Sequence, residues 1–390
     1  MNDLGPSSPL VPPLYQSSVY CLPDLDALDA IMEGEETGFI YARDGHPNAE
    51  RLAERLAALE GAGWAIVCGS GMAAVSAAVL SLVQQGDRIV ASNRLYGRTT
   101  QLFMQELSRF GVTATLTDTT DLEQVEQALR GGAKLLFVET LSNPMLRVAD
   151  LPALVRLAHG AGSLLVVDNT FATPCLCRPL EMDADVVIES LTKMIGGHSD
   201  ITLGVVCGGR EDQEDEQASL TREQTAPVVS IWGFSSPPFD CWLAERSLDT
   251  LPLRVRAACD NAQALADWLS EQRAVRQVIY PGQPDHPDHD VAGRLFAGAA
   301  GEQALYGSML CFELAGGREG VNRFMRLATG IPFSPSLGNT TTTCSHPGTT
   351  SHRYVSPAEK KRQGIGDGLI RLSVGIEDLE LIQTEIAKGL

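Results

Sequence analysis

The sequence predicts an α/β fold, with a mainly parallel, doubly wound sheet followed by a smaller C-terminal α+β domain. Three observations carry this expectation. From residue 64 to about 210, short β-rich runs alternate with helical patterns. Those runs are continuously apolar instead of alternating, as strands covered on both faces are. Beyond about residue 245 the order changes to one long helix and more widely spaced strands. Alternation of the first kind favours parallel strands joined by crossover helices.

Taken in order, residues 1–50 are irregular and rich in Pro and Gly. They are too polar to form a core alone, so an arm lying on a neighbouring subunit is expected. Strands are predicted at 64–67, 88–92, 113–117, 134–140, 164–170, 186–192 and 204–208. A helix over 71–83 places Met72, Val75, Val79, Leu82 and Val83 along one side. A second, over 121–130, opens on the N-cap candidate Asp121 and carries Leu122, Val125 and Leu129. The acidic run 210–217 reads as a solvated loop or helix start. Later come a helix over 253–269, strands at 275–280, 309–314 and 369–374, and a closing helix. No internal repeat is found. The resulting division is an arm (1–50), a large α/β domain (51–245) and a smaller α+β domain (246–390).

Composition narrows the function. The chain has 390 residues, more than one small core needs. Lys and Arg number 30 against 49 Asp and Glu, a net charge of −19. Such a surface repels phosphate backbones and anionic lipid, so nucleic acid and membrane are poor partners. No apolar run reaches the roughly 18 residues of a membrane span. Residues 1–15 lack the basic start and apolar stretch of a signal peptide, so a cytoplasmic site is expected. The nine cysteines are scattered and odd in number. Cys175 and Cys177 lack a second pair to complete a zinc site and read as buried free thiols. The segment 285–290 (DHPDHD) lies among prolines and reads as a solvated loop. No metal is expected.

Three features fall at strand ends, where open α/β sheets bind ligands. The turn Cys68, Gly69, Ser70, Gly71, Met72 follows a strand and opens an Ala-rich helix. Its glycines suit either an anion at a helix N-terminus or simple tight packing. Asp168 ends the apolar run 164–167. It reads either as a helix N-cap or as the partner of a cationic ring nitrogen. Ser190, Leu191, Thr192 and Lys193 end the run 186–188. A lysine there loses solvation, which favours its neutral, nucleophilic amine. Ser190 and Thr192 would share one face of a strand and could both donate to a phosphate. Together the three supply a phosphate cradle, a pyridinium partner and a covalent attachment point, the parts pyridoxal phosphate requires.

At these residues the chain resembles the Cys/Met-metabolism family of pyridoxal-phosphate enzymes. That family includes cystathionine γ-lyase, cystathionine γ-synthase, methionine γ-lyase and O-acetylhomoserine sulfhydrylase. The matching motifs are VVDNTFATP (166–174), ESLTKMIGGHSD (189–200), CGSGMAA (68–74), ETLSNP (139–144), SLG (336–338) and IRLSVGIED (370–378). The resemblance implies an aspartate-aminotransferase-like (type I) fold and pyridoxal 5'-phosphate as cofactor. It implies that Lys193 holds the cofactor covalently and shuttles protons, and that Asp168 pairs with the ring nitrogen. Gly71, Met72, Ser190 and Thr192 would hold the phosphate. Tyr41 and Arg43 would reach the phosphate of the adjacent subunit, which would account for the arm and implies a homotetramer built of two active dimers. Tyr96 would stack on the ring and assist the leaving group. Arg371 would grip the substrate carboxylate, with Asn143 and Ser336 beside it.

Four departures bear on the substrate. The family's Asn-Pro-Thr is His46, Pro47, Asn48 here, and Arg98 replaces a small residue or cysteine two positions after the tyrosine. Glutamates that mark many cystathionine-handling members are absent, with Ile40 and Pro335 in their places. After SLG the chain is Thr-rich over 340–343. The leading expectation is a lyase that cleaves a C–S bond by γ- or β-elimination on cystathionine, methionine or homocysteine. A γ-replacement transferase uses the same residues. A catalytically silent binding protein is the third reading, opposed by the intact Lys193, Asp168, Tyr96 and Arg371.

Overall fold

The computed structural model describes residues 7–210, 220–296, 304–353 and 355–390. Of the acidic run 210–217, residues 211–217 lie outside the described residues. The large sheet has seven strands: β1 (Ala62–Cys68), β2 (Arg88–Ser92), β3 (Thr113–Thr117), β4 (Leu135–Glu139), β5 (Leu164–Asp168), β6 (Val186–Glu189) and β7 (Gly204–Arg210). Their spatial order is β1-β7-β6-β5-β4-β2-β3. β7 runs antiparallel to both its neighbours, and the pairs among β2 to β6 are parallel. The continuous apolar runs are explained by two separate cores. Leu136, Leu165, Val167 and Val187 face one, whereas Leu135, Phe137, Val166 and Ile188 face the other. Each such side chain taken fully out of water contributes about 1.5–3 kcal/mol.

A second, antiparallel sheet comprises β8 (Val275–Ile279), β9 (Met309–Leu314), β10 (Thr343–Ser345) and β11 (Leu369–Ser373), in the order β10-β11-β9-β8. The helix Leu251–Ser270 serves both halves of the molecule. Its first half gives Leu251, Val255 and Cys259 to a core of the large sheet. Its second half gives Ala262, Leu265, Ala266 and Leu269 to the core of the small one. No helix among the described residues is long and apolar enough to cross a membrane.

Several local expectations are corrected. The stretch 1–50 is not wholly irregular, because Asp24 accepts from the Ala27 amide (2.9 Å) and caps a helix over Leu25–Met32. The departure His46, Pro47, Asn48 is a helix start, with His46 Nδ1 accepting from the Ala49 amide and Pro47 at the first helical position. The 285–290 segment is a solvated loop only in part, with Asp285, Pro287 and Asp290 exposed but His286 and Asp288 turned inward. Asp288 is buried and takes two hydrogen bonds from Arg147 (2.5 and 2.8 Å) and one from the Val148 amide. The strand expected over 186–192 ends at Glu189. Lys193 N–H instead donates back to Ser190 O (3.1 Å), and a turn carries the lysine.

Candidate active site

The carboxyl ends of β5 and β6 meet the start of the helix Gly71–Leu82. Ser70 caps that helix by accepting from the Ala73 amide at 3.0 Å. A Cβ on Gly71 would fall 2.7 Å from Ser190 Cβ, so only glycine lets the helix end approach the Ser190 turn. The tight-packing reading of this glycine is thus seen directly, and that packing presents the helix N-terminus beside the turn. Ser190 N–H donates to Thr170 Oγ1 (2.9 Å), and its own hydroxyl makes no hydrogen bond among the described residues. Thr192 differs. Its hydroxyl donates to Leu203 O and accepts from Leu203 N–H, both at 3.1 Å. The expectation that Ser190 and Thr192 both offer donors from one strand face is thus corrected, because the strand has ended and the Thr192 proton is committed.

Asp168 caps no helix directly. One of its oxygens, Oδ1, accepts from the amide and hydroxyl of Thr170 (3.0 and 2.6 Å). The other makes no hydrogen bond and meets no basic side chain among the described residues. Burial raises its carboxyl above the ordinary range, and the Thr170 bonds pull it back in part. A cationic nitrogen would offset that desolvation.

Lys193 Nζ donates to Ser336 Oγ at 3.1 Å. Burial first, and the nearby Arg371 charge second, lower the pKa of its amine. The 336–338 loop is pressed against the lysine backbone. A Cβ on Gly338 would lie 2.6 Å from Met194 N and 2.7 Å from Lys193 C, and Gly338 sits at φ +83. On the other side, Arg254 donates to Met194 O (2.7 Å) and Ile195 O (2.9 Å), fixing the turn from beneath. The Thr-rich stretch is structural too. Thr340 N–H donates to Gly197 O, and Thr342 bonds to Glu377 through both its amide and its hydroxyl.

Arg371 is the most informative charge in the site. It is 3% exposed and lies on β11. It donates to Asn143 Oδ1 (2.7 Å) and, more weakly, to Ser336 O (3.4 Å), while its Nε has no partner. No carboxylate among the described residues pairs with it, and burial lowers its pKa. A buried guanidinium without an anion calls for one from a ligand. Tyr96, 41% exposed, lines a cavity of about 1160 Å³ together with Arg98, Pro335 and His352.

Sequence reasoning missed several supporting residues. Glu139, opposite Asp168 across the β4–β5 pair, accepts from the amides of Tyr96 and Asn143. Burial first, then the Asp168 charge, raise its carboxyl well above the usual range. Glu60 and Glu189 are wholly buried and share the Asn169 side-chain amide, at 3.4 Å each. His352 is buried in the cavity wall, and desolvation with the Arg371 charge pushes it down to about 4. The glutamate that opens the ETLSNP motif was visible as part of a motif but not as a hydrogen-bond hub. Tyr41 and Arg43 are not brought to the Lys193 site of their own chain. They are exposed, and Arg43 lies over the Tyr41 ring at 5.1 Å.

The profile of the Cys/Met metabolism PLP-dependent enzymes matches residues 3–390. The chain belongs to that family. It is 39% identical over 377 residues to an O-succinylhomoserine sulfhydrylase of Pseudomonas aeruginosa, covering 97% of this chain and 90% of that one. It is 38% identical over 382 residues to an L-methionine gamma-lyase of Porphyromonas gingivalis, covering 98% and 92%. A Campylobacter jejuni structure carrying N'-pyridoxyl-lysine-5'-monophosphate superposes with a TM-score of 0.90 at 28% identity, over 97% of this chain and 94% of that one.

Pyridoxal phosphate is accordingly the cofactor of this family member, an enzyme acting on an amino acid. The residues fit the group. The Gly71 cradle is one a Cβ would fill, Ser190 has a free hydroxyl, Asp168 has a free oxygen in a desolvated place, and Lys193 offers a deprotonable amine.

Proposed function

We propose that the chain cleaves the C–S bond of a sulfur amino acid such as cystathionine, methionine or homocysteine by γ- or β-elimination. The observation that carries this reading is the buried, unpaired Arg371 guanidinium, joined through Ser336 to Lys193. It gives a substrate carboxylate an anchor beside a proton-transfer amine. In this reading the helix start at Gly71 and Met72, with the free Ser190 hydroxyl, holds the cofactor phosphate, Thr192 braces the turn through Leu203 and would reach the phosphate only by giving up that bond, and Asp168 faces the ring nitrogen. When bound, pyridoxal phosphate supplies an electron sink that acidifies the adjoining carbon of the amino acid. Arg371, with Asn143 and Ser336, orients the carboxylate. Lys193, poised toward its neutral form, takes the proton from Cα and moves protons at Cβ. Tyr96, in the cavity wall, gives a proton to the departing sulfur.

Replacement of the γ-substituent by a thiol is the second reading, favoured by the P. aeruginosa sulfhydrylase relative and by Arg98 in the cavity wall. The proposal includes a homotetramer of two dimers, each site completed by Tyr41 and Arg43 of a neighbour. Exposed Leu10, Val11, Leu14 and Val19 on the arm support it. It also includes the division into 1–50, 51–245 and 246–390, supported by separate cores under the two sheets. A cytoplasmic site suits the buried free thiols of Cys68, Cys207 and Cys311.

The test is a panel of cystathionine, methionine, cysteine and O-acylated homoserines, with and without sulfide, scoring keto acid, ammonia and thiol. Keto acid and ammonia from methionine or cystathionine without added thiol are expected, with borohydride fixing the cofactor on Lys193. Thiol transfer to an ester as the dominant reaction would move the assignment to the second reading. Labelling at another lysine would overturn the site.

A further inference from the structure

The described wall of the large cavity contains three arginines, and two of them are already neutralised. Arg94 pairs with Asp118 at 3.0 Å, and Arg362 with Glu359. Arg98 has no acidic partner among the described residues. It donates one N–H to Gln101 Oε1 at 2.8 Å and keeps its other donors open. In a chain of net charge −19, this leaves one uncompensated positive charge in the cavity that Tyr96 lines.

The backbone that carries Arg98 is held on two sides. Thr99, buried, contacts Met72 Sδ at 3.9 Å, which ties the 97–101 helix to the helix start of the phosphate cradle. A Cβ on Gly97 would lie 3.0 Å from Ser351 O, so the same helix is pressed against the loop that carries His352. Pro335, next to Ser336, adds no charge to the same wall. Ser336, which bonds to both Lys193 and Arg371, directly follows Pro335 of this wall, and the Arg371 charge is felt at His352 in the same wall. The open Arg98 guanidinium matches a planar carboxylate on a side chain that extends from there.

We infer that Arg98 is a specificity residue for amino acids bearing a terminal carboxylate on a long side chain, such as a homoserine ester whose acyl group ends in a carboxylate. This rests on the proposed placement of the amino acid between Lys193 and Arg371. It does not depend on whether elimination or replacement follows.

The test uses two probes without a leaving group, L-2-aminosuberate and L-2-aminooctanoate, which differ in a terminal carboxylate against a terminal methyl. Each is titrated into the holoenzyme, with cofactor absorbance as the readout, for wild type, Arg98→Met and Arg98→Lys. Arg98→Met is expected to weaken aminosuberate about ten- to a hundredfold, as loss of a charge-assisted hydrogen bond does, and to leave aminooctanoate within twofold. Arg98→Lys should recover part of the loss, and salt should weaken aminosuberate selectively. Equal effects on both probes, no effect on either, or no wild-type response to aminosuberate would overturn the inference. A parallel kcat/KM comparison of succinyl, acetyl and phosphoryl homoserine esters separates a carboxylate from a general anion site. Should none of these esters nor methionine turn over, the reaction assignment fails, while the binding contrast still decides Arg98.

Discussion

Replacing Gly338 by alanine tests how tightly the 336–338 loop sets Lys193, the proposed proton-transfer residue. Two costs are separable. At φ +83 a Cβ is strained, at about 1–2 kcal/mol. The Cβ would also sit 2.6 Å from Met194 N where ordinary contact begins at 3.4 Å, so loop or turn must yield by about 0.8 Å. The obstructing atoms are backbone and cannot rotate aside. Overpacking of this kind adds about 1–3 kcal/mol, for a total of about 2–5 kcal/mol. A shift approaching 1 Å at a proton-transfer group costs about a hundredfold in rate. Gly132→Ala is the control, since Gly132 has φ +75 and open space around its Cβ position. Urea unfolding of the holoenzyme and kcat/KM on the best panel substrate are the assays. Gly338→Ala should lose both stability and about two orders of magnitude in kcat/KM, whereas Gly132→Ala should lose only the strain energy. A Gly338→Ala enzyme with kcat/KM within twofold of wild type would refute the coupling of this loop to Lys193.

Two other outcomes are expected. Burial raises the Glu60 carboxyl to about 7 from 4.5, so between those pH values the folded chain holds a proton that the unfolded chain has lost, and stability falls as pH rises through that window. Glu60→Gln should flatten the decline in unfolding free energy measured from about pH 5 to 8, and an unchanged slope would remove the Glu60–Glu189 pair from the account. Mixing Arg43→Ala chains with Lys193→Ala chains should regenerate part of the wild-type activity, because some sites would then have both residues. Properly mixed dimers that stay inactive would place Arg43 within its own chain's function.

Much of this molecule was legible in the sequence for a physical reason. The 164–167 and 186–188 runs are apolar at every position because both faces of the sheet are covered, and Asp168 and Lys193 stand out just beyond them as half-buried charges. What stayed hidden depends on partners remote in the chain. Arg254 looked like any helix arginine until Met194 and Ile195, about 60 residues earlier, supplied its acceptors. The buried pair of Glu60 and Glu189 lies on segments 129 residues apart, and nothing local marks either as desolvated. The turn carrying Lys193 was read as strand because Leu191 and the β-branched Thr192 continue a strand-like composition past Ile188. Only the backbone bonds Lys193 N–H to Ser190 O and Gly196 N–H to Leu191 O distinguish it.

The helix Leu251–Ser270 has a mechanical consequence. Its 20 residues form a rod about 30 Å long, one end wedged under the large sheet and the other under the small one. Arg254 near its start grips the carbonyls beside Lys193, and its far end packs in the core that includes Ile370 and Leu372, the neighbours of Arg371. Neither lobe can tilt without dragging this shared spar. The lysine and the arginine are therefore the two jaws of a single caliper whose opening is set by one helix, and a cut anywhere along it would strip a covering face from both lobes together.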